Sequence, residues 1–195
     1  MSRILYILGV ILIFLSMIKI FPFLTDLISG SENWIVFLFS SIFTFFIGVS
    51  LVLSGSNMFE KLTLRDAFFL TALIWLVIPI MGAIPFLFSI NNISLVDSIF
   101  ESISGLTTTG LTIIHELNDV QPGILLWRSL LQWMGGVGII VMSIAVFPLL
   151  RLGGINSMTN EPLRGNDKVL PRTFELAIAI GVIYFFLTLF CLFSY

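Results

Sequence analysis

The chain has 195 residues, of which 58% are hydrophobic and only 10% charged, with a formal net charge of −2 and a mean hydropathy of +1.12. A soluble domain carries roughly 25% charged residues, so this composition excludes a soluble globular protein and requires a polytopic membrane one. Cys191 is the only cysteine and His115 the only histidine, which rules out an internal disulfide and a Cys/His metal cluster, and no G-x-x-x-x-G-K-[ST] run supports a nucleotide-driven motor.

A helix needs about 20 apolar residues to cross the hydrocarbon. Ile4–Leu24 is the first such stretch, with Lys19 and Pro22 near its far end. Its apolar run exceeds the roughly 7–15 residues of a signal peptide and no A-x-A site follows, so it reads as a retained helix. Lys19 lies near the outer boundary, where its long stem could snorkel to the headgroups. Trp34–Leu53 is the second span, and Ala67–Phe88, interrupted by Pro79 and Pro85, is the third.

Ser94–Gly105 is helix-like, yet its dozen residues give only ~18 Å at 1.5 Å per residue, so it can enter a bilayer and not leave it. Ser94 and Asp97 have the spacing of a capping box at its start. The uncharged Thr/Gly segment Ser104–Leu111 follows directly. Pro122–Leu150 is the fourth span and Phe174–Tyr195 the fifth. Tryptophans 34, 75, 127 and 133 are ambiguous, with interfacial anchoring expected for Trp34 and Trp127.

Basic residues set the orientation. Arg3, Lys61, Arg65, Arg151, Arg164, Lys168 and Arg172 fall at the N-terminus and in the loops after spans two and four, whereas segments 25–33 and 89–121 hold no Lys or Arg. The N-terminus is therefore expected in the cytoplasm, with the Thr/Gly segment entering from outside. Asp26, Glu32, Asp97, Glu101, Glu116 and Asp119 make the outer segments acidic. Translocated loops avoid Lys and Arg in any case; the same carboxylates could also concentrate cations at a pore mouth.

The order span, half-helix, Thr/Gly turn, span is what a cation filter needs, because a dehydrated ion must be held by backbone carbonyls. Extended backbone at membrane depth survives only where protein buries it or it lines a watery cavity. Gly110 can adopt φ angles that turn a carbonyl towards a pore axis, and Thr107, Thr108 and Thr109 add hydroxyl oxygens without charge. The C-terminal end of the half-helix would present partial negative charge at Gly105–Gly110. Two unusual charges flank this unit: Glu101 on the half-helix and Arg128 about two turns into span four. They either pair, fixing the half-helix against span four, or Arg128 snorkels alone to the outer interface. Gly135, Gly136 and Gly138 in mid-span permit either close packing beneath the filter or a hinge.

Phe100-Glu101-Ser102-Ile103-Ser104-Gly105-Leu106-Thr107-Thr108-Thr109-Gly110, followed by Leu126-Trp127-Arg128-Ser129-Leu130-Leu131-Gln132-Trp133-Met134-Gly135-Gly136-Val137-Gly138-Ile139-Ile140-Val141, closely resembles the first repeat of TrkH-type potassium uptake proteins of the Trk/Ktr/HKT superfamily. The resemblance implies an all-α integral membrane protein. Residues 1–60 would form an N-terminal transmembrane helix pair and 61–152 a helix–re-entrant pore helix–filter–helix unit. Residues 153–195 would form a cytoplasmic loop and the first helix of an incomplete second unit.

It further implies K⁺ uptake across a bacterial inner membrane with no chemical step, hence no enzyme. Potassium, the transported ion, would lie at Thr108 and Thr109, with Thr107 and Gly110 completing the filter and Glu101, Ser104, Gly105 and Arg128 supporting it. No covalent cofactor and no nucleic-acid partner are implied. The implied partners are the lipid bilayer, a second copy in a homodimer, and a cytoplasmic nucleotide-binding TrkA-like regulatory ring, on whose side loop 151–173 lies. The family carries four repeats around one pore and this sequence holds one S-G-x-T-T-x-G stretch. It is therefore expected to be an N-terminal portion supplying one quarter of a filter. The alternatives are a transport-inactive remnant and a membrane interaction protein whose Thr/Gly turn only packs.

Overall fold

A computed structural model describes residues 2–55, 64–90, 93–114, 120–155 and 166–194. The expectations attached to Lys61, His115, Glu116, Asp119 and Arg164 lie outside these residues. The regular elements among the described residues are all helices: α1 (Ser2–Ile18), α2 (Ile20–Ile28), α3 (Trp34–Ser54), α4 (Leu64–Ser89), α5 (Leu95–Leu106), α6 (Pro122–Ile155) and α7 (Asn166–Ser194). Among the described residues, Ser2–Ile28, Trp34–Ser54, Arg65–Ser89 and Pro122–Ile140 are long and apolar enough to cross a membrane, while Ile178–Ser194 is a shorter apolar helix. The chain divides into two compact units, Met1–Gly135 and Gly136–Tyr195.

In the first unit α1 and α3 pack as a hairpin pair with their backbones almost in contact. A Cβ on Gly9 would sit 2.6 Å from the Gly48 carbonyl oxygen, and one on Gly48 would sit 2.9 Å from that of Gly9. Lipid tails are as apolar as leucine, so close backbone approach through small residues is what holds such helices together. Ser41 adds a bond from its hydroxyl to the Ser16 carbonyl at 2.7 Å.

The first span is broken at Lys19, between α1 and α2. Pro22 has no N–H and its ring crowds the carbonyl four residues earlier, which is Ile18, so the break falls where the proline dictates. α2 ends in a Schellman turn: Ser31 N–H donates to the Asp26 carbonyl at 3.0 Å and Gly30 N–H to that of Leu27 at 3.4 Å, with Gly30 at φ 68°. Only a residue without Cβ takes that conformation freely.

The hydrophobic core of this unit joins the N-terminal helices to the rest: Leu12, Leu15, Ile18, Phe37, Phe86, Ile124, Trp127 and Leu131 form one buried cluster. Two expectations are corrected here. Lys19 does not snorkel to the headgroups; its side chain is fully buried. Trp127 is likewise fully buried and donates its indole N–H to the Gly82 carbonyl at 2.9 Å, so it is a core residue and not an interfacial anchor. In both cases a hydrogen-bond acceptor inside the bundle outweighs the nearby interface, because an unpaired donor in hydrocarbon costs several kcal/mol.

In the second unit the end of α6 and α7 are both helical. A Cβ on Gly136 would lie 2.8 Å from the Tyr184 hydroxyl, whereas Gly138 faces open space. Helix α7 begins at Asn166, eight residues before the span expected at Phe174.

Candidate functional site

Helix α5 carries the site. Its start is a capping box: Ser94 Oγ accepts from Asp97 N–H at 3.1 Å while Asp97 Oδ2 accepts from Ser94 N–H at 3.3 Å. This satisfies donors that a helix N-terminus otherwise leaves orphaned. The helix stops at Leu106, after 12 residues.

Beyond Leu106 the backbone alternates in handedness. Thr107 has φ −78°, Thr108 φ 58° and Gly110 φ 76°, and Thr108 is the only non-glycine residue with positive φ among the described residues. A β-branched residue in the left-handed region is a true outlier, and such strain persists only where surrounding contacts over-determine it. Those contacts are the backbone donors. Thr107 N–H binds the Ile103 carbonyl at 2.8 Å and Thr108 N–H that of Gly105 at 3.0 Å. Thr109 and Gly110 N–H both reach the Ser104 carbonyl, at 3.0 and 3.4 Å. In this set the four N–H groups are used and the four carbonyl oxygens of residues 107–110 are not. The Thr107 hydroxyl bonds the Ile103 carbonyl at 2.8 Å and touches that of Thr109 at 2.8 Å. Thr108, Thr109 and Gly110 are exposed.

Behind this turn Glu101 is a hub. Its side chain is fully buried, and Oε1 accepts from the Thr112 hydroxyl and from Ile113 N–H, each at 2.6 Å. Its Oε2 accepts from Arg128 Nε at 3.0 Å, with the arginine side chain 16% exposed. Of the two fates open to Arg128, pairing is the one adopted. A buried carboxylate is tolerable when it is both paired and hydrogen-bonded, and here one group ties the half-helix, the segment after the turn and α6 together. Ser104 Oγ adds a bond to the Leu111 carbonyl at 2.5 Å.

The glycines divide by position. A Cβ on Gly105 would stand 3.1 Å from Leu131 Cβ, and one on Gly135 would overlap the Leu106 carbonyl, so both permit α5 and α6 to meet closely. Gly110 has space for a Cβ, with Gln132 Nε2 at 3.6 Å, and is restricted by its φ instead.

Two residues that sequence reasoning did not place in this assembly belong to its frame. Asp26 Oδ1 accepts from Gly123 N–H at 2.7 Å, so a carboxylate from α2 caps the start of α6 from outside that helix. Lys19 Nζ donates to Ser40 Oγ at 2.7 Å, Thr44 Oγ1 at 2.8 Å and the Met81 carbonyl at 2.9 Å. For Lys19 the available signal was the presence of an ionisable residue inside an apolar span, which by default marks a partnered, interior position.

The family model described as TrkH, cation transport protein, matches residues 34–195. The Trk system potassium uptake protein TrkH of Halomonas elongata is 36% identical over 199 residues, covering 100% of this chain and 41% of that protein. The protein of the same name from Escherichia coli K12 is 41% identical over 156 residues, covering 76% of this chain and 32% of the relative. The crystal structure of the potassium transporter TrkH from Vibrio parahaemolyticus superposes with a TM-score of 0.81 at 35% identity, over 96% of this chain and 37% of that one. The chain thus spans about a third to two fifths of the length of these relatives, which are ion transporters and not enzymes. The chain belongs to the TrkH cation transport protein family.

Proposed function

We propose that this chain supplies one quarter of a four-repeat cation pore that carries K⁺ inward across a bacterial inner membrane. The observation that carries the reading is the alternation of φ sign over Thr108, Thr109 and Gly110, with all four N–H groups of residues 107–110 bound back to the end of α5. Left- and right-handed residues in alternation turn successive carbonyls to a common side, and carbonyls not engaged by the protein can replace an ion's water shell. The names of the relatives support K⁺ as the ion.

In this reading Thr107, Thr108, Thr109 and Gly110 form the filter, with K⁺ at Thr108 and Thr109. The C-terminal end of α5 adds its partial negative charge where the ion loses water. Ser104 and Gly105 supply the carbonyls that anchor the turn, and the Glu101–Arg128 pair holds it against α6. Residues 1–60 act as an accessory helix pair, 61–152 as the pore unit, and 153–195 as a cytoplasmic loop leading into a second unit. The N-terminus is cytoplasmic. A homodimer and a nucleotide-binding TrkA-like ring, reached through loop 151–173, are the partners of the complete protein. Rubidium uptake by the complete four-repeat protein, in cells lacking their own potassium systems, tests this directly; uptake no greater than in cells without the protein removes the transport reading.

A further inference from the structure

We propose that Lys19 is a positioning residue for the filter: its ammonium group takes the place of the backbone N–H that Pro85 lacks and thereby fixes the Met81–Gly82 stretch against which α5 and Trp127 are set. The proposal rests on the filter reading above. In a regular helix the Met81 carbonyl accepts from the N–H of residue 85, and a proline there has none to give. Pro85 lies inside α4, so the Met81 carbonyl needs another donor at a depth where no water supplies one.

Lys19 Nζ is that donor, at 2.9 Å. Its other two protons go to Ser40 Oγ and Thr44 Oγ1, at 2.7 and 2.8 Å. Thr44 spends its own hydroxyl proton on the Ser40 carbonyl at 2.7 Å, which leaves its oxygen lone pairs for the ammonium. The Ser40 carbonyl lies farther off, at 3.5 Å, and all four acceptors are neutral. The charge is further stabilised by the Trp127 ring, 5.7 Å from Nζ to centroid.

The carbonyl after Met81, that of Gly82, receives the Trp127 indole N–H. Gly82 is also where α4 meets the half-helix: a Cβ there would lie 2.5 Å from the Ser102 hydroxyl oxygen. Lys19 therefore reaches the filter helix through two adjacent residues of α4 and reaches α6 through one ring. The lysine is the one residue between α1 and α2, three positions before Pro22.

The test uses Lys19→Met, Pro85→Ala and the double variant in the complete four-repeat protein, with melting of the purified protein and the Rb⁺/Na⁺ uptake ratio as readouts. Lys19→Met is expected to lower the melting temperature by about 5 °C and to shift the ratio at least about twofold. Pro85→Ala restores the missing N–H, so the double variant is expected to recover at least about half of both losses, a rescue that loss of bulk packing would not show. Wild-type behaviour of Lys19→Met, or a double variant no better than Lys19→Met, overturns the proposal. Where Lys19→Met does not accumulate in the membrane, Ser40→Ala with Thr44→Val withdraws two acceptors and keeps the lysine. The ratio is then expected to move in the same sense, and an unchanged ratio overturns the proposal. Gly110→Ser is measured alongside: melting and rescue report on the Lys19–Met81 link alone, whereas an unmoved ratio in Gly110→Ser counts against the filter reading itself.

Discussion

Arg128 Nε meets Glu101 Oε2 at 3.0 Å across 27 positions of sequence, and the same carboxylate takes donors from Thr112 and Ile113 through its other oxygen. Removing one partner of a buried pair leaves an uncompensated charge and costs about 3–5 kcal/mol, whereas removing both costs far less. Arg128→Gln and Glu101→Gln are therefore each expected to reduce heat stability strongly, and the double variant to be milder than the sum of the two. A double-mutant cycle on detergent-solubilised protein gives the coupling, and a coupling near zero would show that the pair holds nothing in place.

Gly110→Ser is expected to leave membrane insertion intact, because a Cβ there meets only Gln132 Nε2 at 3.6 Å. Its backbone, at φ 76°, opposes the substitution by roughly 1–2 kcal/mol. That energy is enough to re-aim a carbonyl and too little to unfold a helical bundle. The K⁺/Na⁺ uptake ratio of the complete protein should fall at normal expression; an unchanged ratio would refute the filter assignment.

Two glycines three positions apart in α6 should respond in opposite ways. Gly135→Ala drives a methyl into the Leu106 carbonyl and should destabilise markedly, while Gly138→Ala meets open space. At Gly138 the gain in helix propensity, up to about 1 kcal/mol, should appear as an unchanged or slightly raised melting temperature. Equal responses at the two sites would contradict the packing described here.

Asp26 and Gly123 should show mutual dependence. Asp26→Ala removes the cap of α6, at a cost of about 1 kcal/mol. Gly123→Ala pushes a methyl into the Asp26 carboxylate. In the Asp26→Ala background that collision is gone, so Gly123→Ala should become nearly neutral. Melting curves of the two single variants and the double variant decide it, and additive losses would argue against contact.

The half-helix and its capping box were legible in the sequence because each rests on short-range spacing, whereas the Glu101–Arg128 pair was one of two fates the sequence left open for Arg128. Apolar run length alone marked the first four spans. Lys19 was misread for a physical reason: position along a helix says how far a side chain is from the interface, but which way it faces depends on the break at Pro22 and on the acceptors Ser40, Thr44 and Met81, which come from two other helices. Trp127 was misread in the same way, since its partner, the Gly82 carbonyl, is visible only once α4 and α6 are packed. The handedness of Thr108 had no sequence signal at all, because threonine ordinarily avoids that conformation.

Asp26 ends one helix and begins another: its carbonyl closes the Schellman turn at Gly30, and its side chain supplies the first acceptor of α6. A newly made α6 has no such acceptor of its own at Gly123, so its N-terminal turn is complete only once α2 is already in place. Chains are made and folded from the N-terminus, so α2 can present this acceptor as α6 forms. The acceptor is thus laid down 97 positions ahead of the donor that it caps.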